Sequence, residues 1–384
     1  MSTYDVAVVG AGVFGAWTAW FLARAGKSVL LLDAWGPGHS GSSSGGESRV
    51  MRMGYGADAL YTAMAKRSLA HWQDLFHQTG QPLFHKTGVL WMARDGDPTG
   101  QATCTTLADA EVPFEILRPA DLARRYPQMQ VDDPNLFGIL EPDSGALLAR
   151  RAVAAVADAA VRLGVKFVSA AVRPEIGSGR KLRVRTAAGE NISADTIVFA
   201  CGAWLPKIFP DLLASRIFPT RQEVLFFAPP AGDQRFAPPH LPVWIDFIHP
   251  LGPYGIPDLE ARGFKLAFDR HGPAIDPDAT DRMVDTASVE QARSFLAGRF
   301  PALRDAPLME SRVCQYENTS SGDFLIDRHP DFDSVWLVGG GSGHGFKHGP
   351  AVGEYACAAA LGDQAAEPRF SLCNKTSLQK RTVF

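Results

Sequence analysis

YDVAVVGAGVFGAWTAWFLARAGKSVLLLD, residues 4–33, is the stretch that decides the fold. DVAVVG is a short apolar run that meets Gly10, Gly12 and Gly15 in G-x-G-x-x-G spacing. An apolar, alanine-rich segment then continues to Gly26, which fits a helix C-terminus. SVLLLD follows as a second strand, ending in Asp33 at the distance expected for a carboxylate that binds a ribose. Gly10 permits the tight turn, Gly12 lets the backbone approach a pyrophosphate, and Gly15 lets helix and strand pack closely. The helix start at Val13 and Phe14 offers free N–H groups and the positive end of a dipole to phosphates. Three glycines alone are a weak signal. In this complete strand–helix–strand setting they predict a Rossmann-like dinucleotide-binding domain, with NAD and FAD both open.

The chain of 384 residues is too long for one ordinary core, so two domains are expected. A net charge of -3 argues against a nucleic-acid or anionic-membrane surface, although KRTVF leaves a small basic tail. The N-terminal apolar run starts a strand and is broken by glycines, so no signal peptide is expected. ALLARRAVAAVADAAVRLG carries too many charges to span a bilayer. Five scattered cysteines without C-x-x-C spacing support neither a disulfide framework nor a metal site. A reducing cytoplasm suits that usage.

GPGHSGSSSGGESRVMRMGYG, residues 36–56, is rich in Gly and Ser and then supplies Arg49 and Arg52. A free linker has little need of the apolar alternation around those arginines, so a loop wrapping a long cofactor fits better. SRVCQY, residues 311–316, raises a second question, because a lone buried cysteine ordinarily behaves as a small apolar side chain. Read as a strand, this stretch puts Arg312, Cys314 and Tyr316 on one face. GFKLAF places Lys265 among alternating apolar neighbours, which by itself reads as an edge-strand lysine. GGGSGHGFKHGPAVGE reads as a glycine-rich loop entering a helix of small residues.

These motifs together resemble the monomeric sarcosine oxidase and N-methyltryptophan oxidase family of flavoproteins, within the D-amino-acid-oxidase superfamily. The resemblance runs nearly end to end, through GESRVMRMGYG, YGIP (254–257), GFKLAFDRHG (263–272), VCQYENTSSGDFLIDRHP and GGGSGHGFKHGPAVGE in order. It implies FAD, tethered by a thioether from Cys314 to the flavin 8α carbon, and a thiolate near cations is the nucleophile such attachment needs. Arg52 and Lys347 match the pair that holds a substrate carboxylate, a task for a planar fork and a point charge. Lys265 matches the lysine credited with activating oxygen, and Arg49 is expected at the flavin's other face. Tyr254 and Tyr316 would line the substrate cavity. Ser42, Ser43 and Ser48 of the wrapping loop, Cys201, Gly202 and Trp204 of ACGAW, and Gly341, Gly343, His344, Gly345 and Phe346 would line the cofactor. Val172 would meet its adenine side. For Cys201 the residue alone reads as a core thiol.

One position departs from the family pattern. Four residues beyond the lysine, where the family commonly has histidine, stands Asp269, with His271 two further on. An anion there could favour a basic or polar substrate, or His271 could replace the missing contact, and Ile245 also shapes that cavity. The fold class expected is α/β with an α+β second domain: a discontinuous FAD domain (1–88, 144–222, 322–384) and a mostly antiparallel substrate domain (89–143, 223–321). The activity expected is oxidation of a secondary amino acid or similar amine, N-methylated or cyclic, by hydride transfer to FAD, imine hydrolysis and reduction of O2 to H2O2. An FAD dehydrogenase feeding a quinone or partner protein is the alternative, and a flavin-binding subunit without turnover is a third. The partners expected are a small amine and O2, with no nucleic acid or membrane, in a monomer or small homo-oligomer.

Overall fold

A computed structural model of the chain describes residues 4–176, 182–279, 281–362 and 367–378. The basic tail KRTVF lies outside the described residues. The first sheet has six strands in the order Leu325–His329, Phe332–Gly339, Ala194–Phe199, Tyr4–Val9, Val29–Asp33 and Lys166–Ser169. All neighbours in it are parallel except the hairpin Leu325–His329/Phe332–Gly339. Its central strands are near-continuous apolar runs, as a sheet covered on both faces requires. Helix Val13–Arg24 lies between helices Ala149–Arg162 and Gly349–Leu361. A Cβ on Gly353 would stand 2.6 Å from that of Trp17, so only glycine lets the two helices close. Their contact fixes the 340–348 loop beside the first glycine turn.

The second sheet has eight strands in the order Leu308–Thr319, Ile217–Phe227, Phe264–Phe268, Pro253–Ile256, Val243–Ile245, Val89–Arg94, Leu136–Glu141 and Glu115–Leu117. It is antiparallel throughout except where Val243–Ile245 runs parallel to Val89–Arg94. Alternation sorts its two faces. Leu225, Phe227, Phe264 and Leu266 enter a core with Trp244 and Phe300 beneath helix Thr286–Arg299. Val224, Phe226 and Ala267 form the opposite face, with Tyr254 and Cys314 packed against them. That second face looks toward the dinucleotide turn.

Two expectations need correction. The boundary after residue 222 falls inside strand Ile217–Phe227, because the turn at 214–216 that ends the preceding segment comes several positions earlier. Lys265 is no edge-strand residue: its strand lies between Ile217–Phe227 and Pro253–Ile256, and it is 2% exposed. Alternation shows which way a side chain points but carries no information on which strands flank it.

Candidate active site

The glycine turn is built as its spacing requires. Gly10 has φ +100°, and a Cβ there would stand 2.4 Å from the Ala200 carbonyl oxygen. One on Gly15 would stand 1.8 Å from the Gly10 carbonyl oxygen. Asp33 accepts the Ala11 N–H at 2.8 Å through one oxygen and the Trp35 and Gly36 N–H groups at 2.9 Å through the other. The Val13 N–H donates to the Ser44 hydroxyl at 3.1 Å, so the wrapping loop caps the helix start. Sequence reasoning named Ser42 and Ser43 but missed Ser44, since three adjacent serines give no sign of which one faces the helix.

A cavity of about 430 Å³ runs from this turn along the edge of the second sheet. Gly10, Gly12, Val13, Phe14 and Asp33 form one end, with Val172, Cys201, Gly202 and Trp204 beside them. Ser42, Ser43, Arg49, Cys314 and Tyr316 form the other, closed by Gly341, Gly343, Gly345 and Phe346. Tyr316 leaves no room for a side chain on Gly343, where a Cβ would come within 2.6 Å of its ring. Cys201 packs against the core behind the sheet, as the residue alone suggested, and also borders this wall. Its Sγ donates to the Val9 carbonyl at 3.3 Å, and burial, with Asp33 and Glu317 nearby, pushes the thiol well above its ordinary range.

Around Cys314 the surroundings are cationic. An Arg49 Nη2 donates to its Sγ at 3.5 Å, and the same guanidinium holds the Ser43 and Ser48 carbonyls at 2.6 and 2.8 Å. The Ser48 carbonyl also accepts the Lys265 Nζ at 2.8 Å, so Ser48 positions two cations and does not line the cavity. Burial, and next the charge of Arg49, hold Lys265 well below the usual lysine range. Lys265 Nζ stands 5.9 Å from the centre of the Tyr254 ring. Tyr254 pairs across strands with both Ala267 and Ile245. Burial raises its phenol to about 12. The Tyr316 hydroxyl donates to Asp269 at 2.8 Å, and His271 lies edge-on to Tyr316 at 6.3 Å. Asp269 is therefore joined to the cavity wall through Tyr316.

Arg52 and Lys347 come together over one ring. The Arg52 guanidinium lies 4.2 Å from the centre of Tyr55 and 4.7 Å from that of Trp91, and Lys347 Nζ lies 5.1 Å from Tyr55. The Tyr55 hydroxyl meets His344 Nδ1 at 3.1 Å and His348 Nε2 at 2.7 Å, while His344 Nε2 donates to the Gly322 carbonyl at 2.9 Å. Burial and the adjacent cations hold His348 well below the usual imidazole range, which keeps it neutral. His344 thus anchors the loop from beneath and is absent from the cavity wall. Glu141, also unforeseen, is fully buried and accepts from Met53 N, Gly54 N, the Trp91 indole and the Ser144 hydroxyl, fixing the segment that carries Arg52. A single glutamate in GILEPDSG gives no sequence signal of that role.

The residues fit FAD. Amides and a carboxylate stand at the nucleotide end, and a thiol with cations stands at the other. Among the described residues no group of three or more His, Cys, Asp or Glu side chains could hold a metal, and no helix is long and apolar enough to cross a membrane. Fold and site together define a flavin-dependent oxidoreductase built on two sheets.

The profile of the FAD dependent oxidoreductase family (DAO) matches residues 5–359. A monomeric sarcosine oxidase of Bacillus sp. (strain B-0618) is 32% identical over 400 aligned positions that cover 100% of both chains. An N-methyl-L-tryptophan oxidase of Yersinia pestis is 29% identical, covering 92% of this chain and 94% of its own. Among solved structures, the L-proline dehydrogenase from P. horikoshii superposes with a TM-score of 0.84 over 97% of both chains at 20% identity, a likeness of fold. The chain belongs to the FAD-dependent oxidoreductase family, in its sarcosine-oxidase-like group, whose enzymes act on CH–NH donors with O2 as acceptor.

Proposed function

We propose that this chain oxidises a secondary amino acid, N-methylated or cyclic, with FAD tethered through Cys314 and O2 reduced to H2O2. The pairing of Arg52 and Lys347 over Tyr55 carries this reading. Two cations over one ring, with neutral His348 behind it, gather the positive charge that a substrate carboxylate would need. FAD, when bound, supplies the acceptor for hydride from the carbon beside the amine nitrogen and hands the electrons to O2. The protein's own task is placement: Arg52 and Lys347 hold the carboxylate, while Tyr254 and Tyr316 border the amine. The substrate must shed its ammonium proton first, and the imine formed is hydrolysed by water. Lys265 is the group positioned to meet negative charge on oxygen. Burial lowers its proton affinity, and negative charge arriving on oxygen would raise it again and strengthen the ammonium's hold on that oxygen. The Arg49 guanidinium beside the sulfur supports Cys314 as the attachment point.

The test is a panel of N-methyl and cyclic amino acids given to the purified flavoprotein, with H2O2 release and anaerobic loss of flavin colour both recorded. Equal amounts of amine consumed and peroxide formed are expected. Flavin bleaching without peroxide, restored by an artificial quinone, would replace this reading with a dehydrogenase. No bleaching by any amine would leave a flavin-binding subunit.

A further inference from the structure

Glu317 is buried at 7% exposure on strand Leu308–Thr319, three residues past Cys314, and it lines the cofactor cavity. One carboxyl oxygen, Oε1, accepts the Gly341 N–H at 3.1 Å. The other, Oε2, is buried and has no hydrogen-bond partner. A buried carboxyl oxygen in that state is costly and calls for an explanation. No donor of the protein reaches it with hydrogen-bond geometry, and the nearest surfaces are glycines from separate segments. Cβ atoms built on Gly202 and Gly339 would lie 3.8 and 3.3 Å from Oε2, and one on Gly341 would lie 3.2 Å from Oε1. No cation is among the groups that act on this carboxyl; burial lifts it to about 7, against the pull of the Gly341 and Gly340 amides.

The order of groups along the cavity selects the missing partner. Asp33 and the Gly10–Val13 amides take the ribose and pyrophosphate end, and Arg49 and Cys314 take the flavin ring end. Glu317 stands about 10 Å along its strand from Cys314, on the way back toward the glycine turn. A pyrophosphate would be repelled there. A hydroxyl would not, and the part of FAD between ring and pyrophosphate is a chain of hydroxyls. We propose that Glu317 Oε2 accepts a hydrogen bond from a ribityl hydroxyl of FAD, which makes Glu317 a positioning residue for the flavin.

The test uses apoprotein from a riboflavin-starved host, in a Cys314→Ala background so that binding stays reversible, titrated with FAD and with FAD analogues lacking single ribityl hydroxyls. Quenching of flavin fluorescence reports the dissociation constant. At least one analogue should bind about tenfold more weakly than FAD. Glu317→Ala should abolish that difference, binding FAD and the same analogue alike, which a merely structural role would not produce. Glu317→Leu, closer in volume, takes its place should the alanine variant not fold. The proposal is overturned if every analogue binds the background protein within twofold of FAD, or if the preference survives undiminished in the Glu317 variants.

Discussion

The two ends of the cofactor cavity are made of different material, and each end has one cysteine that shows it. At the nucleotide end the work falls to backbone: Gly10 in a left-handed conformation, amides at Ala11 and Val13, and Asp33 oriented by three N–H groups with acceptor capacity left over. Cys201 stands there beside Asp33 and Glu317, buried and driven toward the neutral thiol. At the flavin end the work falls to side chains: Arg49, Lys265, Tyr254 and Tyr316. Cys314 stands there with a guanidinium 3.5 Å from its sulfur. The two thiols on one wall thus have different neighbours, carboxylates beside Cys201 and a guanidinium beside Cys314.

The contrast is broken most completely by exchanging the cysteines' roles in experiment. Acid denaturation of the purified protein should leave the flavin on the chain. Cys314→Ala should release all of it, and Cys201→Ala should release none. Free flavin from the unsubstituted protein, or retention in Cys314→Ala, would remove the distinction between the two ends. The next largest effect concerns Lys265→Met, which should slow reoxidation of reduced flavin by about a thousandfold. Anaerobic reduction by amine should stay within severalfold, and the melting temperature should hold or rise, because a desolvated amine is replaced by an apolar chain of similar length. Stopped-flow mixing of the reduced enzyme with O2 decides it; an unchanged oxygen rate would move that role elsewhere.

What could be read from the sequence follows the same division. Backbone-built features impose residue types at fixed spacings, so Gly10, Gly12, Gly15 and Asp33 were legible without any fold. The shared face of Arg312, Cys314 and Tyr316 followed from the two-residue period of a strand. Side-chain clusters joined across long sequence distances left no such trace. The Tyr55–His344–His348 cluster spans residues 55 to 348, and Ser44 was indistinguishable from its neighbours. Glu317 was hidden by the rule that revealed Cys314, because alternation sends it to the opposite face of the strand. In the fold both faces of this strand end border the cavity, and Gly202, Gly339 and Gly341 leave room there for its carboxyl.

Glu317 lies between the two ends and sharpens the comparison through pH. Its carboxyl moves from an ordinary value of 4.5 to about 7 in the folded chain. Between those values the folded state keeps a proton that the unfolded state gives up, so stability falls as pH rises through this window and levels off above it. The loss is on the order of 3 kcal/mol at most. Denaturant unfolding of the apoprotein should therefore show Glu317→Gln gaining on the unsubstituted chain as pH rises from 5 to 8, with the difference between the two nearly constant at more acid pH. A pH-independent difference would mean the carboxyl is already matched by the protein alone.

The smallest effect expected is at Asp269, where the family resemblance leads one to expect a histidine. Its carboxylate accepts the Tyr316 hydroxyl, and its charge also acts on Tyr254, so both tyrosines of this end feel it. Tyr316 is held far above the ordinary tyrosine range, first by burial and then by Asp269, which keeps it a hydrogen-bond donor at any working pH. A substrate with a second cationic group should gain modestly from this arrangement. Asp269→Asn preserves the acceptor oxygen and removes only the charge. It should lower the kcat/KM ratio of basic over neutral N-methyl amino acids by about tenfold, leaving the neutral substrates within twofold. If both classes fall together, Asp269 acts by holding Tyr316 in place and charge has no part in selection. If neither falls, the carboxylate is insulated from the substrate and His271 becomes the residue to replace.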